Sequence, residues 1–489
     1  MSSLSSGPRR ARSEPPRFRK GRVPRKWRHR LEPRVTRERR PRGLPGLWTR
    51  ARRVLWSWML WAALGVLAIS LDSWGWAIGA GAVSLVAYLI GPREYPPTFG
   101  LDHDTTVGSP EFLPSLTGLT GSNVVGGNAI AVLNNGDEFY PAMLEAIRGA
   151  QFSITIEAYI YWQGEVGTTF ANALAERARA GVAVKILLDA VGSSTIGSEI
   201  LETLEGGGCQ LAWFNPIRAY SLGRFNDRTH RKSLIVDGVV GFTGGAGIAD
   251  QWSGCAQDAD HWRDMQVRIE GPGAVVLQTG FAQNWLQTTR ELVSGPLYFP
   301  EPEVCGDVAL HGLLSSPSTG ASAARILYYF AIICARRSIY ISNPYFVPDQ
   351  TAIDALVDAR RRGVDVRVVV SGRRNDNWLA RQNSMRLFGA LLEHGIAVFE
   401  YHRTMLHQKT MIVDGGWATI GTTNFDNRSF AFNEESNVSS TDPDFVAALT
   451  RAYQADERAS EAMTLEAWRR RGWWSRIQET VASLMQDQV

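Results

Sequence analysis

Two stretches of the chain, THRKSLIVDGVVGFTGG and LHQKTMIVDGGWATIGTTN, carry the same residue types at the same spacing. In the first, His230 and Lys232 stand two apart, followed by Asp237 and then Gly244 and Gly245; in the second, His407, Lys409, Asp414 and Gly421 repeat the pattern His-x-Lys-x4-Asp-x6-Gly. On a strand, residues two apart project from one face, so an imidazole and an ammonium can address the same phosphate. A single His-x-Lys is weak evidence. Two in register, each closing a matching half, are strong. The Asp-Gly pair after each apolar strand also suits a hairpin turn, and that explanation is preferred over catalysis for Asp237 and Asp414. The glycine run from Gly244 to Gly247 is not a nucleotide loop, because no Gly-x-Gly-x-x-Gly follows and the lysine precedes it.

The elements that must position these residues repeat as well. In the first half FYPAMLEAIRGA leads to the apolar strand SITIEAYIY, then to the helical pattern FANALAERARAG and the strand VAVKILLDA. In the second, ILYYFAIICARR leads to SIYISNPYF, AIDALVDARRRG and VDVRVVVSG, with Gly181 and Gly363 at the same helix-to-strand corner. Helix, strand, helix, strand twice over predicts an α/β fold of two similar halves with largely buried sheets.

The 489 residues include 52 basic and 48 acidic side chains, unevenly placed. Residues 1–53 hold 19 Lys/Arg against 3 Asp/Glu, while the remainder holds 33 against 45, so a basic arm precedes an acidic body. The arm is rich in Pro, Ser and Arg, and is expected to be disordered and drawn to anionic headgroups or, less specifically, to nucleic acid. Over 54–91 two uncharged apolar runs, Val54 to Leu71 and Trp74 to Ile90, are broken only by Asp72 and Ser73. They predict a two-helix transmembrane hairpin rather than a signal peptide, with the basic arm and the body beyond residue 92 both cytoplasmic. A Gly/Pro/Ser/Thr-rich linker is expected over 92–126, the halves over 127–300 and 301–455, and an amphipathic C-terminal segment over 456–489. That last segment sets Trp473, Ile477, Val481, Leu484 and Met485 at helical spacing beside Arg469, Arg470, Arg471 and Arg476. The stripe fits an interfacial helix, and it fits packing on the body. The four cysteines are widely spaced with no Cys-x-x-Cys, which argues against a zinc site and a dense disulfide framework.

The duplicated motif resembles that of the phospholipase D superfamily, and within it the chain is most similar to bacterial cardiolipin synthases. The likeness extends through GNAIAVLNNGDEFYPAMLEAI, FNDRTHRK, HWRDMQVRIEGPGAV, SNPYFVPD and FDNRSFAFNEES, and covers roughly residues 54–475. It implies that one motif histidine attacks phosphorus while the other protonates the leaving alcohol, with His230 the nucleophile and His407 the acid, although a quasi-symmetric site permits the reverse. By family position Asp264 would orient His230 and Glu435 would orient His407, the alternative being ordinary surface acids. Lys232 and Lys409 would hold the phosphate oxygens, joined by Asn424. The first half departs from the family here, since Gly247 stands where a second asparagine is expected.

The resemblance implies a phosphatidyltransferase of the bacterial inner membrane, without metal or cofactor, that makes cardiolipin and glycerol from two phosphatidylglycerols through a phosphatidyl-histidine. The enzyme rival is a phospholipase D hydrolase or transphosphatidylase releasing phosphatidic acid, and a nuclease and a tethered binding module are further readings. Intact His and Lys in both motifs oppose the last. The 17 tryptophans suit a bilayer surface, and the acidic body lacks the basic groove of a specific nucleic-acid binder. A homo-oligomer is compatible with the sequence.

Overall fold

The computed structural model describes residues 57–71, 73–90, 104–217, 226–317 and 322–488. The basic arm expected over 1–53, and the expected linker as far as residue 103, lie outside the described residues.

The first half contributes β1 (Val124–Asn134), β2 (Ser153–Ala158), β3 (Ala183–Asp189), β4 (Gln210–Phe214), β5 (Arg228–Thr229), β6 (Ser233–Val236), β7 (Val240–Gly244) and β8 (Met265–Glu270). The second contributes β9 (Val308–Ser315), β10 (Ser338–Asn343), β11 (Asp365–Ser371), β12 (Ala397–Tyr401), β13 (Thr410–Val413), β14 (Trp417–Gly421), β15 (Asn433–Ser440) and β16 (Ser460–Met463). They join in one sheet in the order β16-β12-β11-β10-β13-β14-β15-β9-β1-β8-β7-β6-β2-β3-β4, with β5 pairing on β15. In each half three parallel strands (β2, β3, β4; β10, β11, β12) continue into an antiparallel hairpin that follows the His-x-Lys motif. The halves meet where β1 runs antiparallel to β9, with Val124 opposite His311.

The helices are α1 (Trp58–Ser70), α2 (Trp74–Ile90), α3 (Phe112–Thr120), α4 (Asn135–Gly149), α5 (Glu165–Arg179), α6 (Ser198–Gly207), α7 (Ala274–Thr289), α8 (Ala323–Cys334), α9 (Gln350–Arg361), α10 (Trp378–Leu392), α11 (Asn427–Ala431), α12 (Pro443–Arg458), α13 (Leu465–Arg469) and α14 (Trp473–Ala482). On one side of the sheet α4, α5 and α6 cover the first half and α8, α9 and α10 the second, each over its own apolar cluster. A third cluster is shared: Phe281 and Trp285 of α7 and Phe445, Leu449 and Tyr453 of α12 belong to one core with strand residues of both halves. Apolar burial at roughly 25 cal/mol per Å² therefore acts directly to hold one half on the other. Buried ion pairs add register across that boundary, Arg231 with Glu434 at 2.6 Å and Arg263 with Asp456 at 2.9 Å.

Two expected boundaries shift. Within the supposed linker, α3 forms and buries Phe112 and Leu116 in the core of the second half, and β1 begins before residue 127. The second half does not stop at 455, because α12 continues to Arg458 and β16 adds an edge strand to β12. The apolar hairpin is two helices of 13 and 17 residues, α1 and α2, packed together with Ser84 Oγ donating to the Trp58 carbonyl at 2.8 Å. Among the described residues no helix is long and apolar enough to cross a membrane.

Candidate active site

Each His-x-Lys motif lies immediately before the first strand of a hairpin, β6 or β13, and the two hairpin turns are built alike. Asp237 and Asp414 both adopt positive φ, 52° and 56°, and each is followed by a glycine that does the same. Their carboxylates cap the backbone at the start of the neighbouring strand. Asp237 accepts from the amides of Gln151, Phe152 and Ser153 at 2.7–2.9 Å, and Asp414 from those of Arg336, Arg337 and Ser338. These aspartates thus fix the hairpins and do not face the histidines. The motif glycines are required by close approach: a Cβ at Gly244 would lie 2.3 Å from the Met265 carbonyl, and one at Gly421 2.3 Å from that of Ser436. At Gly245 a Cβ would fall 2.2 Å from Asp264 Oδ1.

Backbone pairs between the halves carry each histidine across the boundary. β5 runs parallel to the start of β15, and the His230 amide donates to the Glu434 carbonyl at 2.9 Å. In the mirrored position Arg263 bridges Leu406, and the His407 amide donates to the Arg263 carbonyl at 2.7 Å. The acids consequently pair opposite to the expectation from family position. Glu435, not Asp264, meets His230, with both carboxylate oxygens 3.0 Å from Nδ1. Asp264, not Glu435, meets His407, at 2.8 Å from Nδ1. Neither acid is a surface residue, as both are fully buried.

Sequence reasoning passed over the groups that hold these carboxylates. Thr422 Oγ1 donates to Glu435 at 2.5 Å and Asn433 Nδ2 at 3.3 Å. Trp252 Nε1 donates to Asp264 Oδ2 at 2.8 Å, and the Met265 amide to Oδ1 at 2.8 Å. A signal existed: Trp252 stands as far beyond Gly244 as Ser429 does beyond Gly421, and Ser429 bonds Glu435. Aromatic rings line the histidines unequally. Tyr159 lies edge-on to His230 with centroids 5.2 Å apart, whereas Trp252, Trp262 and Tyr345 stand 5.3, 5.7 and 6.2 Å from His407.

Both lysines are buried, and each bonds the carbonyl of its own motif histidine. Lys409 Nζ also lies 3.0 Å from His407 Nε2. Burial pushes Lys409 down to about 8, and burial with the repulsion of Lys409 lowers Lys232 as well. Burial, then the lysine charges, lowers His407 to about 4 and His230 well below its ordinary value. Burial acts to raise Asp264, but hydrogen bonds and the nearby charges outweigh it and its carboxyl titrates below the usual range. Burial and the lysine charges thus favour the neutral imidazoles; His230 Nδ1 faces Glu435, which burial raises to about 7, and His407 Nδ1 faces Asp264 while its Nε2 meets Lys409. Buried lysines that repel one another call for an anion between them.

Asn424 is also buried, and its side-chain oxygen accepts no hydrogen bond within the described residues. At Gly247 a Cβ would lie 2.9 Å from the Ile160 Cβ and carbonyl, so an asparagine has no room in the first half. Among the described residues no group of three or more His, Cys, Asp or Glu could hold a metal ion.

A family model described as cardiolipin synthase, PLD-like domain, matches residues 143–279 and 330–456. A cardiolipin synthase of Geobacillus kaustophilus (strain HTA426) is 35% identical over 358 residues, covering 73% of this chain and 71% of that protein. A probable cardiolipin synthase, YwiE, of Bacillus subtilis (strain 168) is 33% identical over 356 residues, with coverage of 73% and 71%. Among solved structures, a phosphatidylserine synthase of Haemophilus influenzae Rd KW20 superposes with a TM-score of 0.58 at 14% identity, covering 77% of this chain and 99% of that one. At that identity the likeness is one of fold.

Proposed function

Because the chain belongs to the cardiolipin synthase family of PLD-like proteins, we propose that it is a phosphatidyltransferase converting two phosphatidylglycerols into cardiolipin and glycerol. The observation that carries this reading is the pair of buried imidazoles, each with Nδ1 committed to a carboxylate of the other half and each beside a buried lysine.

His230 Nε2 attacks the phosphorus of the donor, and the bond from phosphorus to the glycerol oxygen breaks as His407 protonates that oxygen. Neutral His407 then takes the proton from a hydroxyl of the second phosphatidylglycerol, whose oxygen attacks phosphorus and displaces His230. Lys232, Lys409 and Asn424 hold the phosphoryl oxygens as negative charge builds. Burial and the neighbouring lysine charges favour the neutral form of both histidines. An entering phosphodiester anion favours protonation of its surroundings, and so allows His407 to acquire the proton it must give.

The reading includes a membrane anchor formed by α1 and α2, with the arm and body on the cytoplasmic side of a bacterial inner membrane. Helices of 13 and 17 residues rise only ~20 and ~25 Å, which a bilayer meets by thinning or by flanking residues entering the core. Their large apolar side chains support this: Met59, Val66, Leu67, Trp76 and Ile78 are all exposed.

Purified protein with phosphatidylglycerol as the sole lipid tests the function. Cardiolipin and free glycerol are the expected products, phosphatidic acid is expected to be minor, and added glycerol should drive the exchange backwards. Phosphatidic acid as the main product, insensitive to glycerol, would move the protein to the hydrolase reading.

A further inference from the structure

The C-terminal segment is fastened to α10 by its polar side. Trp468 Nε1 donates to the Met385 carbonyl at 2.7 Å, Asn383 Nδ2 to the Ala482 carbonyl at 3.1 Å, and Arg386 to Gln486 at 2.5 Å, while within the segment Arg471 holds buried Glu479 at 2.6 Å. Glu479, Ala482 and Ser483 thus face the body. The apolar stripe faces away: Trp473, Trp474, Ile477 and Val481 are 73, 59, 43 and 55% exposed. Of the stripe read from the sequence, Trp473, Ile477, Val481 and Met485 are exposed and Leu484 is half-buried, so most of it does not pack on the body.

Two contacts locate this face beside the active site. The helical turn Ser483–Gln488 packs against α11, whose Ser429 Oγ accepts from the Asn424 amide at 3.1 Å. Exposed Trp378, at the start of α10, follows Asp376 by two residues, and Asp376 accepts from the hydroxyl of Tyr345, the ring that faces His407. Arginine surrounds the apolar stripe, with Arg469, Arg470 and Arg476 all exposed. Arg469 and Arg470 pair with Glu393 and Glu466 in exposed ion pairs of little strength and Arg476 donates to the Arg469 carbonyl, which leaves the arginines able to exchange these contacts for phosphate.

We propose that α14 and Trp378 form a docking surface for an anionic bilayer, holding the active site at the level of the headgroups. This rests on the phosphatidyltransferase reading. Trp, Ile and Val enter the boundary between headgroups and acyl chains while the arginines take lipid phosphates. A second copy of the chain fits this face poorly, because a two-fold contact would bring one arginine cluster against another.

The test uses the full chain in vesicles, with an environment-sensitive dye on Ile477→Cys and the exposed Cys255 and Cys305 changed to Ser. In vesicles containing phosphatidylglycerol the dye should be quenched by spin-labelled lipid. Vesicles of phosphatidylcholine alone should quench it weakly, and Arg470→Gln or Arg476→Gln should each weaken docking about fivefold. Trp473→Ser with Trp474→Ser should slow turnover of vesicle lipid yet leave turnover of a short-chain, monomeric phosphatidylglycerol unchanged, which also shows that the variant is folded. An unquenched dye, with vesicle turnover untouched by the tryptophan changes, would overturn the proposal, as would a dye shielded only by self-association in sedimentation. Failure of every protein to turn over the monomeric lipid would instead defeat the function on which the proposal rests.

Discussion

His230 and Glu435 are 205 residues apart in the chain, and Nδ1 of the one lies 3.0 Å from both carboxylate oxygens of the other. His407 and Asp264 repeat the arrangement in the opposite direction at 2.8 Å. Neither half holds a complete histidine–carboxylate pair, so the catalytic unit exists only when both halves are folded and joined. The exchange follows from the backbone ladders, since β5 on β15 and Arg263 on Leu406 bring each motif loop to the strand that bears the other half's acid.

Each acid therefore faces the histidine of the opposite half, where it favours the tautomer with the proton on Nδ1. Glu435→Gln and Asp264→Asn should each lower kcat on the order of a hundredfold or more with KM little changed. With an activated donor, Asp264→Asn should still form phosphatidyl-histidine on His230, whereas Glu435→Gln should not. Mass spectrometry of trapped enzyme reads the difference, and the reverse result would exchange the roles of the two histidines.

Removal of either imidazole deletes a group that the double displacement cannot do without. His230→Ala and His407→Ala should each reduce turnover by orders of magnitude. The thermal melt should remain cooperative, since Glu435 keeps Thr422 and Asn433, and Asp264 keeps Trp252 and the Met265 amide. Near-normal turnover in either variant would end the two-histidine mechanism.

Lys409 must be charged to hold the phosphate, and burial lowers it from the ordinary lysine value to about 8. Lys232, lowered further to about 7, loses its proton first and Lys409 follows, so kcat/KM should fall on an alkaline limb between about 7 and 8 rather than beyond 10. Arg in place of Lys409 should move the limb upward, and Lys409→Met should abolish turnover, while a chelator leaves the native enzyme active. Loss of activity in chelator, restored by a divalent ion, would contradict charge stabilisation by lysine alone.

Restoring the asparagine absent from the first half should harm the protein. In Gly247→Asn the new Cβ meets the Ile160 side chain and carbonyl at 2.9 Å, and overpacking of this kind costs about 1–3 kcal/mol. A lower midpoint in denaturant, with no gain in phosphate affinity, is expected. An unchanged midpoint would show that Ile160 yields.

Membrane topology is open to labelling. Cysteines placed near Ser5 and near Thr98 should both resist an impermeant reagent in intact cells and both react after lysis. Reaction of the second alone in intact cells would mean that a single segment crosses and the body lies outside.

Much of this protein was legible in the order of its residues. The duplicated His-x-Lys spacing at 230/232 and 407/409 marked two matching places in the chain, each just ahead of a hairpin strand, and the repeated helix–strand pattern announced two α/β halves. The Asp-Gly steps at 237 and 414 likewise encoded turns, because backbone geometry there is local. Partner choice was not local. Which acid meets which histidine depends on how β5 and β15 lie against each other, a contact between halves with no periodic trace in the chain. Of the donors to those acids, Trp252 left only the matched offset it shares with Ser429, and Thr422 was hidden, because a hydrogen bond to a buried carboxylate can come from any element that packing brings near. The outward turn of the α14 stripe was also a tertiary decision, since amphipathic spacing states that a helix has two faces and only docking on α10 determines which of them meets water or lipid.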